Sequence, residues 1–283
     1  MLLALRNWLA YLDDPTDVGT HFGTAAGAAI CGLDELRQPY AGIPFSSTRV
    51  SGGTSGYSLD VGVGQVPVQV LAVIGHNLPL EYKIKFTLRT SNAGSSVVAT
   101  GIADCINEAA AWPSHWIYIL PSPVMAGYIQ FDWLGPDTNT TLPEPFVCWR
   151  LWASAALQID APVPPMGVSD DSLIELGSLG QARMLERSRR RWIEVSSLEA
   201  ENAVRTNVLG LYDADVSTFE ALAYSGRSTE VLAIPRPAFN ATTWTEPSLA
   251  MIRTAIFGRV VDSPGLVRAA GPLFTQRVRI EEF

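Results

Sequence analysis

Lysine is almost missing from this chain: Lys83 and Lys85 stand alone among 283 residues, and nearly all positive charge is arginine. Charged side chains make up only 17% of the sequence, against 47% hydrophobic. That balance belongs to a globular chain and excludes a disordered one. A free monomer usually covers itself with charge, so a charge-poor chain of this size tends to hide surface against other chains. A merely neutral surface is the plainer reading. Arginine suits planar, hydrogen-bonded interface contacts better than lysine does, although GC-rich coding also favours it. The net charge is -8, which argues against a protein that coats nucleic acid, since phosphate binding needs a basic face. The charge is uneven: residues 1–166 hold 7 basic and 13 acidic side chains, and residues 167–283 hold 13 and 15.

Chemistry-bearing motifs are equally scarce. Cys31, Cys105 and Cys148 are widely spaced, with no CxxC to suggest a zinc site or a redox pair, so buried free thiols are expected. The three histidines, His21, His76 and His115, have no partner at metal-ligand spacing and read as loop or strand-end residues satisfied by hydrogen bonds. No phosphate-cradling loop and no G-x-S-x-G occurs. The carboxylate pairs Asp13-Asp14, Asp170-Asp171 and Glu281-Glu282 are sequence neighbours whose side chains diverge in a strand, unlike an acid/base pair brought together by the fold. Asp137-Thr138-Asn139 offers oxygen ligands but falls far short of a calcium loop. No apolar run is long enough to span a membrane, and Met1–Leu12 lacks the architecture of a signal peptide. The expectation is a protein without enzymatic machinery, cofactor or metal.

What is present is a succession of strands. Ser58–Val63 alternates with period two, and Val66–Ile74 (VPVQVLAVI) is a β-branched run that ends at Gly75-His76-Asn77. In Tyr82–Leu88, Tyr82, Ile84, Phe86 and Leu88 share one face, and Lys83, Lys85 and Thr87 the other. Val97–Ala99, Trp116–Leu120, Tyr128–Trp133 and Phe146–Trp152 complete the series, with turns rich in Gly, Pro, Asn and Ser between them. Short strands at this spacing predict a mainly β chain whose N-terminal part, residues 1–160, is an antiparallel sandwich or jelly roll.

Asp160–Gly167 carries three prolines in eight residues and reads as a strap, giving a linker over 161–180. A smaller α+β assembly domain is expected over 181–283. There Ser197 reads as a helix cap, with Glu199 and Glu201 near the positive end, and Leu198, Val204, Val208, Leu209 and Leu211 as a loose apolar face. Phe219–Tyr224 is a second helical candidate. Val231–Ile234, Ala250–Val261 and Thr275–Ile280 read as strands.

Two sets of side chains are candidates for contact. Trp112, Trp116, Trp133, Trp149 and Trp152 fall within about forty residues. Trp149 and Trp152 lie in an apolar stretch and read as core or interface, which leaves Trp112, beside Pro113, as the candidate for stacking on a sugar ring. The second set is Arg187-Ser188-Arg189-Arg190-Arg191. These arginines read as a subunit interface paired with acidic patches of the first domain, against a plainer solvated charge run.

The segment that joins the small-residue stretch Thr24–Ile30, the Leu33/Leu36/Pro39 pattern, Phe45–Arg49 and the apolar strand closing in Gly75-His76-Asn77-Leu78 resembles the discoidin-like, galactose-binding-type jelly rolls of tailed-bacteriophage virion proteins. The last hundred residues, with Arg190-Arg191-Trp192, Ile234–Pro237, Ile256–Val260 and a closing Glu281-Glu282, are similar to a domain of tail-tip and baseplate proteins. In that family the jelly roll either binds host glycans or serves only in assembly. Phe45–Arg49 departs from the family's Trp-Arg-Ser form, so no binding residue is carried over. The resemblance implies a structural protein of the distal tail or baseplate, made in the host bacterial cytoplasm and located in the virion. Its partners would be other tail proteins, further copies of itself and a host surface glycan, with no nucleic acid and no membrane span. A carbohydrate-binding module is the second expectation, and a β-sandwich hydrolase the third.

Overall fold

The computed structural model describes residues 1–4, 7–9, 20–23, 45–47, 55–60, 65–92, 94–105, 115–135, 146–158, 165–169, 173–176, 182–185, 190–200, 230–235, 249–262, 267–270 and 273–283. Every strand pair among them is antiparallel. The chain is mainly β, and Leu249–Thr254 (α1) is the helix among the described residues.

Three sheets carry the architecture. Sheet I has the order β2 (Thr20–Gly23), β4 (Ser55–Asp60), β9 (Tyr128–Leu134), β6 (Lys83–Arg89), β7 (Val97–Asp104). Sheet II is β11 (Arg150–Ser154), β5 (Val66–Ile74), β8 (His115–Ala126). Sheet III runs β12 (Leu157–Gln158), β1 (Leu2–Ala4), β17 (Glu230–Ile234), β18 (Ile256–Asp262), β20 (Leu273–Glu282), β16 (Arg190–Ala200), β13 (Met166–Ser169), with β19 (Val267–Ala270) also on β20. Two small pairs, β3 (Phe45–Ser47) with β10 (Phe146–Cys148) and β14 (Leu173–Leu176) with β15 (Ala182–Leu185), stand beside them. Sheet III takes strands from both sides of the Pro-rich stretch around residue 162.

Sheet II is the middle layer, and its sequence explains why. Successive side chains of a strand point to opposite faces, and β5 is apolar at almost every position. Val68, Leu71 and Val73 therefore pack toward sheet I with Trp116, Tyr118 and Leu120 of β8, against Ile84, Phe86, Leu88, Ile129, Phe131 and Trp133. Val70, Ala72 and Ile74, with Ile117, Ile119 and Trp152, face sheet III and meet Leu2, Ala4, Leu232, Ile234 and Met251. A strand buried on both faces needs a continuous apolar run, while β6, with one face on the core, alternates. Each fully buried Val, Leu, Ile or Phe contributes roughly 1.5–3 kcal/mol of transfer free energy. The far face of sheet III carries a further cluster, with Leu3, Ile193, Val195, Val231, Val260, Val278 and Ile280.

Three expectations are corrected. Ser197 does not start a helix: Ser197–Ala200 continue β16, in register with Leu273–Gln276 of β20. A weak capping signal yields to the ladder, because Ile193 and Val195 already commit the strand to burial on one face. Ala250–Val261 is not one strand. Leu249–Thr254 is helical, with the Ala255 N–H on the Met251 carbonyl at 2.9 Å, and the strand begins at Ile256. Phe146–Trp152 is likewise broken, at Trp149, into β10 and β11, which belong to different sheets. The helical candidates over 201–211 and 219–224 lie outside the described residues.

Candidate functional site

The break at Trp149 creates a corner. Here β5 ends, β8 begins and the chain passes from β10 to β11. Gly75 follows Ile74 with φ +64°, a left-handed conformation open to glycine at little steric cost. Trp149 lies directly over it: a Cβ on Gly75 would stand 2.3 Å from Trp149 Cδ1. The backbone fixes this approach, because the Trp149 N–H donates to the Ile74 carbonyl at 2.8 Å. The neighbouring turn is closed by Asn77, whose N–H donates to the Val147 carbonyl at 3.2 Å and whose Oδ1 accepts the Val147 N–H at 2.9 Å. Trp149 is 45% exposed, while Trp116, Trp133 and Trp152 are buried. One indole is thus held by the backbone beneath it and presented to solvent.

Two buried histidines support the corner from inside. His115 Nδ1 accepts the Gly75 N–H at 3.2 Å, and His76 Nδ1 accepts the Leu78 N–H at 3.2 Å. Burial, with the His115 imidazole nearby, pushes the His76 pKa down to about 3, so His76 is neutral at ordinary pH. Burial also raises Cys105 to about 12 and holds Cys148 protonated above the usual thiol range. Both are free, inert thiols, as the sequence suggested.

Of the sequence candidates, Trp112 lies outside the described residues, three positions before His115 in the chain. Arg187 and Arg189 lie outside them too. Arg190 opens β16 opposite Ser169, half-buried. Arg191 is turned inward: its guanidinium forks onto the carboxylate of Glu282, with Nε 2.9 Å from Oε2, and Nη1 donates to the Arg253 carbonyl at 2.7 Å. Arg191 and Glu282 therefore tie β16, β20 and α1 together within the chain. Trp149, read from the sequence as core or interface, lies outside the core. The signal for its seat on the backbone was the apolar strand ending in Gly75-His76-Asn77, whose glycine admits a ring.

Among the described residues no group of three His, Cys, Asp or Glu is placed to hold a metal ion, and no helix is long and apolar enough to cross a membrane. The two carboxylates buried among the described residues belong to different sheets. Asp132 of sheet I accepts from Gln130 Nε2 at 2.7 Å, and burial raises its pKa. Glu230 of sheet III is ion-paired with Arg150 of sheet II.

The architecture is that of an antiparallel β-sandwich extended by a third sheet. No family model matches the chain, and no curated protein matches it in sequence. Several solved structures are similar in part, three of which follow. Chitosan-binding module 1 of a chitosanase/glucanase from Paenibacillus sp. IK-5 has 8% identity over 53% of this chain and 99% of its own, with a TM-score of 0.35. A lectin-binding-domain mutant of Lectinolysin, complexed with Lewis b, has 13% identity over 50% and 95%, with a TM-score of 0.34. The CpGH89CBM32-6 module of Clostridium perfringens has 14% identity over 52% and 98%, with a TM-score of 0.32. Similarity at this level assigns no ligand to the present chain.

Proposed function

We propose that this chain is a non-catalytic recognition protein that binds a sugar at the corner formed by Gly75, Asn77 and Trp149. One observation carries the reading: a backbone-anchored indole left 45% exposed at the end of a sandwich, beside a turn of polar backbone and amide groups. An aromatic face of this kind stacks on the CH groups of a pyranose, with polar atoms at its rim to orient the hydroxyls. Galactose-type rings suit it because their C3, C4 and C5 hydrogens lie on one face. A glycan array followed by calorimetry with methyl β-D-galactopyranoside tests the proposal. Binding lost in Trp149→Ala supports it, and a blank array with folded wild-type protein removes it. Trp112→Ala, made in parallel, tests the tryptophan first singled out from the sequence.

A second reading, in which the chain is a structural component of a phage tail or baseplate, is supported by the exposed sheet edges. Val97, Val98 and Ile102 of the edge strand β7, and Met166 and Val168 of the edge strand β13, are exposed. Apolar side chains on open edges favour association with other chains. Self-association in sedimentation, or the presence of the chain in purified particles, tests this reading; a stable monomer absent from particles removes it. The two readings are compatible, since a virion jelly roll that binds host glycan satisfies both.

A further inference from the structure

We infer that His115 and His76 are positioning residues of the Trp149 platform, acting as neutral acceptors that hold the Gly75–Leu78 backbone beneath and beside the indole. The inference deepens the sugar-stacking reading and rests on it for one of its two readouts.

The geometry runs through the backbone. Trp149 rests on Gly75, and nothing larger fits there. Gly75 keeps its left-handed conformation while its N–H is held by His115 Nδ1. Two residues on, the Leu78 N–H is held by His76 Nδ1, and between them Asn77 is bonded to Val147, two residues before Trp149. Strand, turn and platform are thus laced by two imidazoles, His76 in the turn itself and His115 at the first position of β8. Both are buried. A backbone N–H can only donate, so each Nδ1 must present its lone pair, and the neutral ring then carries its proton on Nε2. The charged neighbours across the sheet do not compete for these rings: Arg150, level with Ile74 and His115 in the strand register, is taken up by Glu230, and Cys148 is held as a neutral thiol.

Asparagine places its Oδ1 where a histidine presents Nδ1, and leucine removes the acceptor at similar bulk. The test uses full-length protein labelled with 5-fluorotryptophan, with the Trp149 resonance assigned by its loss in Trp149→Phe. In His115→Leu the half-buried Gly75 N–H has lost its acceptor. The Trp149 line is expected to shift or broaden, and affinity for methyl β-D-galactopyranoside to fall by about tenfold or more. His115→Asn is expected to restore the wild-type line and most of that affinity. An unmoved line in His115→Leu, or equal disturbance by Leu and Asn, overturns the inference. Should His115→Leu fail to fold, the pair His76→Leu and His76→Asn, read on the same line, decides in the same way. If wild-type protein binds no glycan, the sugar reading falls, while the fluorine line still decides whether the histidines position Trp149.

Discussion

Sheet II meets its two neighbours by different means. Toward sheet I the contact is mainly apolar and aromatic: Phe86 meets Tyr118 edge-on at 4.9 Å, and the buried Trp116 indole N–H donates to the Ala103 carbonyl of β7 at 3.3 Å. Toward sheet III the contact is also apolar, with Trp152 edge-on to Phe257 at 5.8 Å, but it includes the ion pair Arg150–Glu230, exposed by only 2% and 3%. A greasy interface tolerates repacking if volume is kept. A buried ion pair tolerates neither partner alone, because each charge is left without water when the other is removed. The first face is thus held by bulk and the second by an exact match of partners, which fixes how sheet III is seated on the sandwich.

The largest effect should come from breaking that match. Glu230→Ala alone is expected to destabilise by roughly 3–5 kcal/mol, measured by urea unfolding. The double replacement Arg150→Met/Glu230→Leu should recover most of it. If the single and double variants were equally unstable, apolar packing alone would be seating sheet III.

The next effect concerns the corner. Gly75→Ala places a methyl 2.3 Å from Trp149 Cδ1 and asks a residue with a Cβ to hold φ +64°. Left-handed backbone costs about 1–2 kcal/mol for such a residue, and the indole must also move. A thermal unfolding curve measures the first, and loss of glycan affinity the second. Wild-type behaviour in both would show that the indole is not seated on Gly75.

Acid should act on the corner through His76. Its folded-state pKa is lowered to about 3 from the usual 6.5. The unfolded chain therefore takes up a proton that the folded chain refuses. The stability contributed is complete above pH 6.5 and is lost progressively as pH falls from 6.5 to 3. His76→Asn, which does not titrate, should flatten that part of the stability profile, and an unchanged slope would show that His76 is not excluded from protonation.

The smallest effect belongs to the edge of sheet I. Lys83 and Asp104 approach to 3.4 Å with both side chains largely exposed. Removing either should change stability by less than about 1 kcal/mol, by the same urea assay, in contrast to the pair beneath sheet III.

Much of the strand order was legible because strand burial writes itself into side-chain period. Val66–Ile74 was readable to its ends, and the Tyr82–Leu88 alternation put Tyr82, Ile84, Phe86 and Leu88 in the core, where they lie. Thr87, assigned to the outer face with the lysines, is buried as well, which period alone does not reveal. Ser197–Ala200 misled because local capping preference is weak beside a long ladder with β20. Within the arginine run, Arg191 was not legible for a different reason. Arg191 finds its carboxylate on Glu282, ninety-one residues on, and no local pattern marks that pair.

The sequence by itself determined that the chain is mainly antiparallel β, that Val66–Ile74 is a strand, and that Cys105 and Cys148 are buried free thiols. All three follow from residue type and period, which are local. Only the tertiary structure decided that Trp149 faces solvent while Trp152, three residues later, is buried, and that Arg150 and Arg191 are spent within the chain. Exposure and charge pairing depend on which distant strand arrives opposite, and that is settled by the register between β5, β8, β11 and sheet III.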